Sequence, residues 1–170
     1  MIRAWRIVNA RTAATAFSGD GSRRSGGRWN SRGYRAVYVA DSLALATLEV
    51  MVHGVSYETL QNYVCILATI PKKIIQEVDL KSLPRNWRDD LPPATLRELG
   101  DRWLNEQKSA ALKVPSAVIQ VEFNYVLNPR HKDFGKIEIA EPLSLMDSYK
   151  VIITDGFEKS PSSRRARLVE

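Results

Sequence analysis

Apolar and polar positions alternate from the start of the chain. From Arg3 to Val8 the alternation predicts a short strand with Trp5 and Ile7 on one face. Thr15 to Gly33 is dense in Gly, Ser and Arg, carries no period and predicts a loop. Ala36 to Ala40 (AVYVA) has strand composition. The run LALATLEVMV follows Asp41 and Ser42, both good N-cap residues, and precedes Gly54, a good stop. A helix is therefore predicted from Leu43 to His53. Tyr63 to Ile70 predicts a buried strand ended by Pro71, and Ile74 to Leu80 a second short strand. The prolines between Leu83 and Pro93 mark a loop. Leu96, Leu99, Trp103 and Leu104 share one face at helical spacing, which predicts an amphipathic helix from Thr95 to Ala110. Ala117 to Phe123 (AVIQVEF) predicts a further strand, Asn124 to Gly135 a polar loop, and Ile137 to Ile139 a last short strand. There is no internal repeat and no βαβ rhythm with a Gly-rich phosphate turn. Strands at both ends with helices between them point to an α+β fold.

Composition narrows the class. A chain of 170 residues, 44% hydrophobic and 26% charged, is expected to form one domain with a real core. No apolar run approaches the roughly 20 residues that span a bilayer, and the start has no long apolar leader. Cys65 stands alone, so neither an internal disulfide nor a Cys-rich zinc site is available. A cytoplasmic protein without membrane contact is the simplest expectation. The net charge of +6 suits an anionic substrate or an acidic partner. Much of the excess lies in Arg23, Arg24, Arg28, Arg32 and Arg35. The last segment, 159–170, is polar and aperiodic. It is read as a disordered or vector-derived tail after a domain of residues 1–158.

One carboxylate stands out. Glu49 is the only charge between Leu43 and Val52, and a carboxylate in so apolar a helix is costly unless it is paired or used. It could stabilise a developing cation, act as a base, or pair with an Arg of the preceding loop. In that loop Arg28 follows Gly26 and Gly27, where the backbone can approach a ligand closely. Its guanidinium could hold a phosphate or carboxylate by two parallel hydrogen bonds. Trp29 could stack on a flat ring, and Asn30 could read an amide. The competing reading is a solvated surface loop with Trp29 folded onto the core. Tyr38 could line the same cleft or belong to the core. Ser116 opens the predicted AVIQVEF strand and could bind a ribose or phosphate, or simply make a turn; no Ser-His-Asp context supports an acyl-transfer nucleophile. His53 and His131 lack metal-ligand spacing, so both are expected to be structural or exposed, and no metal is expected.

Taken in order, GGRWN, Gly33, VYVADSLALATLEVMVHG, VPSAVI and EFNYVLNPRH resemble the RES domain family, from about Trp5 to about Ile139. That family is named for an Arg, a Glu and a Ser, which map here onto Arg28, Glu49 and Ser116, with Tyr38 in the matching strand. Leu127-Asn128-Pro129 departs mildly from the family's usual acidic-aromatic FDP. The resemblance implies a fold similar to that of ADP-ribosyltransferase toxins. It also implies a type II toxin, paired with an Xre-like helix-turn-helix antitoxin and forming a homodimer within a larger complex. Such proteins consume NAD⁺ by glycohydrolysis or phosphorolysis, or transfer its ADP-ribose to a protein. On that reading Arg28 anchors the pyrophosphate or an attacking phosphate, and Tyr38 packs near the nicotinamide ribose. Glu49 stabilises the oxocarbenium-like charge or orients the nucleophile. Ser116 hydrogen-bonds the ribose or a phosphate, and Gly27, Trp29 and Asn30 complete the binding set. A nucleic-acid-binding or RNA-cutting toxin is suggested only by the net charge. It lacks interleaved aromatics and a His pair, so no direct nucleic-acid contact is expected.

Overall fold

A computed structural model describes residues 1–148. The expected tail at 159–170 lies outside the described residues. Within these residues the framework is one eight-stranded sheet packed with α-helices, an α+β architecture. In chain order its strands are β1 (Ile2–Asn9), β2 (Val37–Ala40), β3 (Tyr63–Ile70), β4 (Ile75–Glu77), β5 (Ala111–Pro115), β6 (Phe123–Leu127), β7 (Glu138–Ile139) and β8 (Leu143–Ser144). The helices described from end to end are α1 (Asp20–Ser25), α2 (Leu43–Val52) and α3 (Ala94–Glu106). The sheet runs β4-β5-β6-β2-β1-β3-β7, and β8 also pairs β3. Every pairing is antiparallel except β4 with β5, which α3 connects as a parallel crossover. That crossover was not expected from the sequence.

The strand ladder from β1 to β3 runs in register from Ile2 opposite Ile70 to Asn9 opposite Tyr63. Its alternation buries Ala4 with Val37, Val39, Ala68, Tyr125 and Leu127 in one part of the core. Ile7 lies instead with Leu45, Ala46, Leu60 and Cys65 under α2, and Trp5 packs against the same cluster. A third cluster seats α3 on β5 and β6 through Leu96, Trp103, Leu104, Leu112, Val114 and Val126. The helical spacing in α3 thus meets the sheet with the predicted face.

Helix α2 starts where the sequence indicates. The Ser42 hydroxyl accepts from the Leu45 amide at 3.0 Å, and Gly54 takes φ +91° just beyond the end. Among the described residues no helix is long and apolar enough to cross a membrane.

Several boundaries differ from the sequence reading. The Gly- and Arg-rich stretch is not all loop, because Asp20–Ser25 forms the short helix α1. Helix α3 stops at Glu106 rather than Ala110, where Gln107 turns left-handed at φ 52°. The second short strand is trimmed to Ile75–Glu77.

The largest correction concerns AVIQVEF. Residues 117–122 form a turn, not a strand, and the strands lie either side of it as β5 and β6. The Ser116 hydroxyl accepts from the Val118 and Ile119 amides at 3.0 and 3.1 Å, and the Glu122 amide closes onto the Ile119 carbonyl at 2.9 Å. A local side-chain cap offers the backbone an alternative to the ladder and overrides the β-propensity of Val and Ile. Val121 consequently points out, 84% exposed. The expected polar loop from Asn124 is strand β6 until Leu127.

Candidate active site

The GGRWN segment leaves α1 at Gly26, whose φ of +73° needs glycine. One residue on, the Gly27 amide donates to the Asn30 carbonyl at 2.8 Å and closes a tight turn. A Cβ at Gly27 would lie 2.6 Å from the Tyr38 hydroxyl oxygen, so this glycine is required by close approach. Within the turn Asn30 is fully buried. Its amide nitrogen faces the carbonyls of Ser22, Ser31 and Tyr34 at 3.0–3.2 Å. Its Oδ1 accepts the Tyr38 hydroxyl at 2.6 Å, while that hydroxyl accepts the Trp29 amide at 3.1 Å.

Trp29 and Asn30, both expected as ligand contacts, serve the fold here. Trp29 is 2% exposed and packs with Leu96 and Trp103, and it forms part of the cleft wall. The Asn30 amide is used up inside its own loop. Tyr38 is the pin between loop and sheet, and burial raises its hydroxyl well above the ordinary tyrosine range. Tyr38→Phe would strand the Trp29 amide and Asn30 Oδ1. A loss of about 1–3 kcal/mol in denaturant unfolding is expected from those groups, and an unchanged midpoint would contradict the pinning role.

Arg28 reaches outward from this turn. Its Nη1 donates to the Trp87 and Asp89 carbonyls at 2.7 and 3.0 Å, tethering the 83–93 segment. Its Nε and Nη2 make no hydrogen bond among the described residues and stay available to an anion.

Across the cleft sits Glu49, one face of α2 having turned it away from the core. Its Oε1 accepts from the Ser116 hydroxyl at 2.9 Å and from Asn124 Nδ2 at 2.7 Å. Ser116 is fully buried, and its oxygen also caps the 117–122 turn. The hydroxyl lies at the end of β5 rather than opening a strand. Its proton is committed to Glu49, so it holds the carboxylate rather than facing a ribose.

Arg6 and Asn124 were not found by sequence reasoning. Arg6, on β1, donates from Nη1 to the Tyr38 carbonyl at 2.7 Å. Its Nε is buried with no partner, and no ion pair among the described residues neutralises it. Burial lowers its pKa to about 10, so it remains charged at neutral pH. A half-buried guanidinium without a counter-charge among the described residues, at the edge of a cleft, favours an anionic ligand. The available signal was an Arg inside an alternating apolar strand.

These side chains line one cleft of about 1520 Å³, with Arg6, Arg28, Tyr38, Glu49, His53 and Asn124 on its walls. It has cations for an oxyanion and a fixed carboxylate for a developing cation. His53 is exposed at the end of α2. His131 is buried and structural: its Nδ1 accepts the Asp133 amide at 3.0 Å, leaving Nε2 to donate to the Gln107 carbonyl at 2.9 Å. Among the described residues no group of three His, Cys, Asp or Glu side chains is placed to hold a metal.

Comparison with known proteins places the chain in a family. The RES domain profile matches residues 3–148. "Toxin Res" of Yersinia enterocolitica is 39% identical over 141 residues, covering 82% of this chain and 93% of that protein. The "Prs ADP-ribosylating toxin" of a Sphingobium species is 35% identical over 134 residues, covering 76% and 83%. In fold the chain is similar to a chain of the Mycobacterium tuberculosis MbcT–MbcA toxin–antitoxin complex. The TM-score is 0.71 at 17% identity, with 88% of this chain and 87% of that one covered. The chain belongs to the RES domain family.

Proposed function

We propose that the chain is the toxin of a toxin–antitoxin pair and that its cleft binds NAD⁺ and breaks the nicotinamide–ribose bond. The observation that carries this reading is Glu49, fixed at Oε1 by two donors and set in a cleft whose walls include the guanidinium groups of Arg6 and Arg28. NAD⁺ is the complementary ligand, with a negative pyrophosphate and a cationic pyridinium on a ribose. When the bond breaks, its electron pair passes to the ring nitrogen and nicotinamide leaves neutral, so no general acid is needed. Positive charge then develops on the ribose, where Glu49 opposes it. Arg28 and Arg6 hold the phosphate oxygens, or an attacking phosphate. Water as nucleophile gives ADP-ribose and a proton; phosphate gives the 1″-phosphate ester. Tyr38 fixes the loop beside the nicotinamide ribose.

A second reading keeps the site and changes the acceptor to a protein side chain. It is favoured by the relative named as an ADP-ribosylating toxin. The partner in either case is an antitoxin, of the Xre-like helix-turn-helix kind, with the toxin as a homodimer in the complex. The fold neighbour from a toxin–antitoxin complex supports the antitoxin.

Induced expression without an antitoxin tests the proposal in cells. Growth should stop as the NAD⁺ pool collapses, and Glu49→Gln should spare both. Arrest with an undiminished pool would contradict depletion and favour transfer to a protein. Normal growth with abundant folded protein would contradict the toxin reading itself.

A further inference from the structure

Both donors to Glu49 converge on one oxygen. Ser116 Oγ and Asn124 Nδ2 reach Oε1, while Oε2 has no hydrogen-bond partner among the described residues. A carboxylate only accepts, so the Asn124 side chain must present its nitrogen here, not its oxygen. Asn124 stands on β6, opposite Ala40 of β2 and Val114 of β5, at a position fixed by the ladder on both sides. Glu49 comes from a helix, Ser116 from the turn after β5, and Asn124 from the middle of the sheet. The carboxylate is therefore triangulated from separate elements.

We infer that Asn124 is a positioning residue of the reaction, holding Oε1 with Ser116 so that Oε2 alone faces the ribose as charge develops. The inference rests on the NAD⁺-cleaving reading above. A carboxylate held through one donor could swing about its last torsion and share its charge between two directions; two donors on the same oxygen fix which lone pairs meet the substrate. Asn suits this place because its amide is rigid and uncharged. A Lys would neutralise Glu49, and an Asp would repel it.

The test is nicotinamide release by the purified protein, with Asn124→Ala and the isosteric Asn124→Asp, each alone and combined with Glu49→Gln. The expected loss in kcat for Asn124→Ala is about 10–100-fold, with KM changed less than about threefold. In the Glu49→Gln background, single-turnover rates should fall no further on adding Asn124→Ala, because Asn124 acts only through that carboxylate. Asn124→Asp should lower the thermal midpoint by placing two carboxylates together, and Glu49→Gln should restore it while leaving activity at the low level of Glu49→Gln alone. Full activity in Asn124→Ala, or losses that add to those of Glu49→Gln, would overturn the inference. A silent wild type would instead overturn the activity reading. The Asn124 side-chain amide signal in ¹⁵N spectra then still decides the contact. It should move on Glu49→Gln, and a signal that stays in place would overturn it.

Discussion

Glu49→Gln is expected to slow nicotinamide release by about 10²–10³-fold while leaving the fold intact. The fold survives because Gln keeps an oxygen for the Ser116 hydroxyl and the Asn124 amide, the two groups that hold this position. Both donors are satisfied and no volume changes, so the unfolding midpoint should stay within experimental error. What disappears is a full negative charge beside the ribose. A fixed charge acting where solvent is largely replaced by protein is worth far more than the same charge in water. Steady-state turnover with a matched unfolding curve checks both halves. Near-normal turnover would remove Glu49 from the mechanism. Equal loss of stability and activity would reduce it to a structural group.

Gly100→Ala is expected to be the most damaging change outside the cleft. In most helix interiors this substitution gains about 0.5–1 kcal/mol from propensity and lost chain entropy. Here an added Cβ would overlap the Trp29 carbonyl. The obstacle is backbone, so no rotamer change relieves it, and overpacking costs about 1–3 kcal/mol or more. The clash outweighs the propensity, for a net loss of about 2 kcal/mol, or roughly 4–8 °C in Tm for a domain of this size. The damage should reach the site. Helix α3 braces the GGRWN turn where Asp101 accepts the Ser31 amide at 2.8 Å and Asn105 donates to the Tyr34 hydroxyl at 3.2 Å. Moving α3 off Trp29 also moves Arg28. Thermal unfolding and NAD⁺ affinity of the variant should both fall. An unchanged or raised Tm would show that α3 and the turn are not in close register.

The sequence was most legible where local chemistry and burial agree. Ser42 and Gly54 bound α2 because the cap and the left-handed stop are used as such in three dimensions. Glu49 was legible because its cost in an apolar helix is independent of topology. Reading failed where one side chain outvoted a run. Ser116 turned AVIQVEF from a strand into a turn by accepting two backbone amides, a use of the hydroxyl that periodicity does not encode. Trp29 and Asn30 were left between cleft and fold for a related reason. Their position beside Arg28 suggested the cleft, but packing against α3 and the pin from Tyr38 decided their direction. Arg6 and Asn124 were invisible because their roles depend on pairing β1 with β2 and β2 with β6, contacts between residues far apart in the chain. Gly100 gave no signal at all, since a helical glycine declares nothing about what lies against it.

The most direct measurement is incubation of the purified, antitoxin-free protein with NAD⁺, with and without inorganic phosphate, followed by mass analysis of the products. Free nicotinamide is expected in both cases, with ADP-ribose when water is the acceptor and its 1″-phosphate when phosphate is. NAD⁺ recovered intact from folded protein under both conditions would contradict NAD⁺ cleavage.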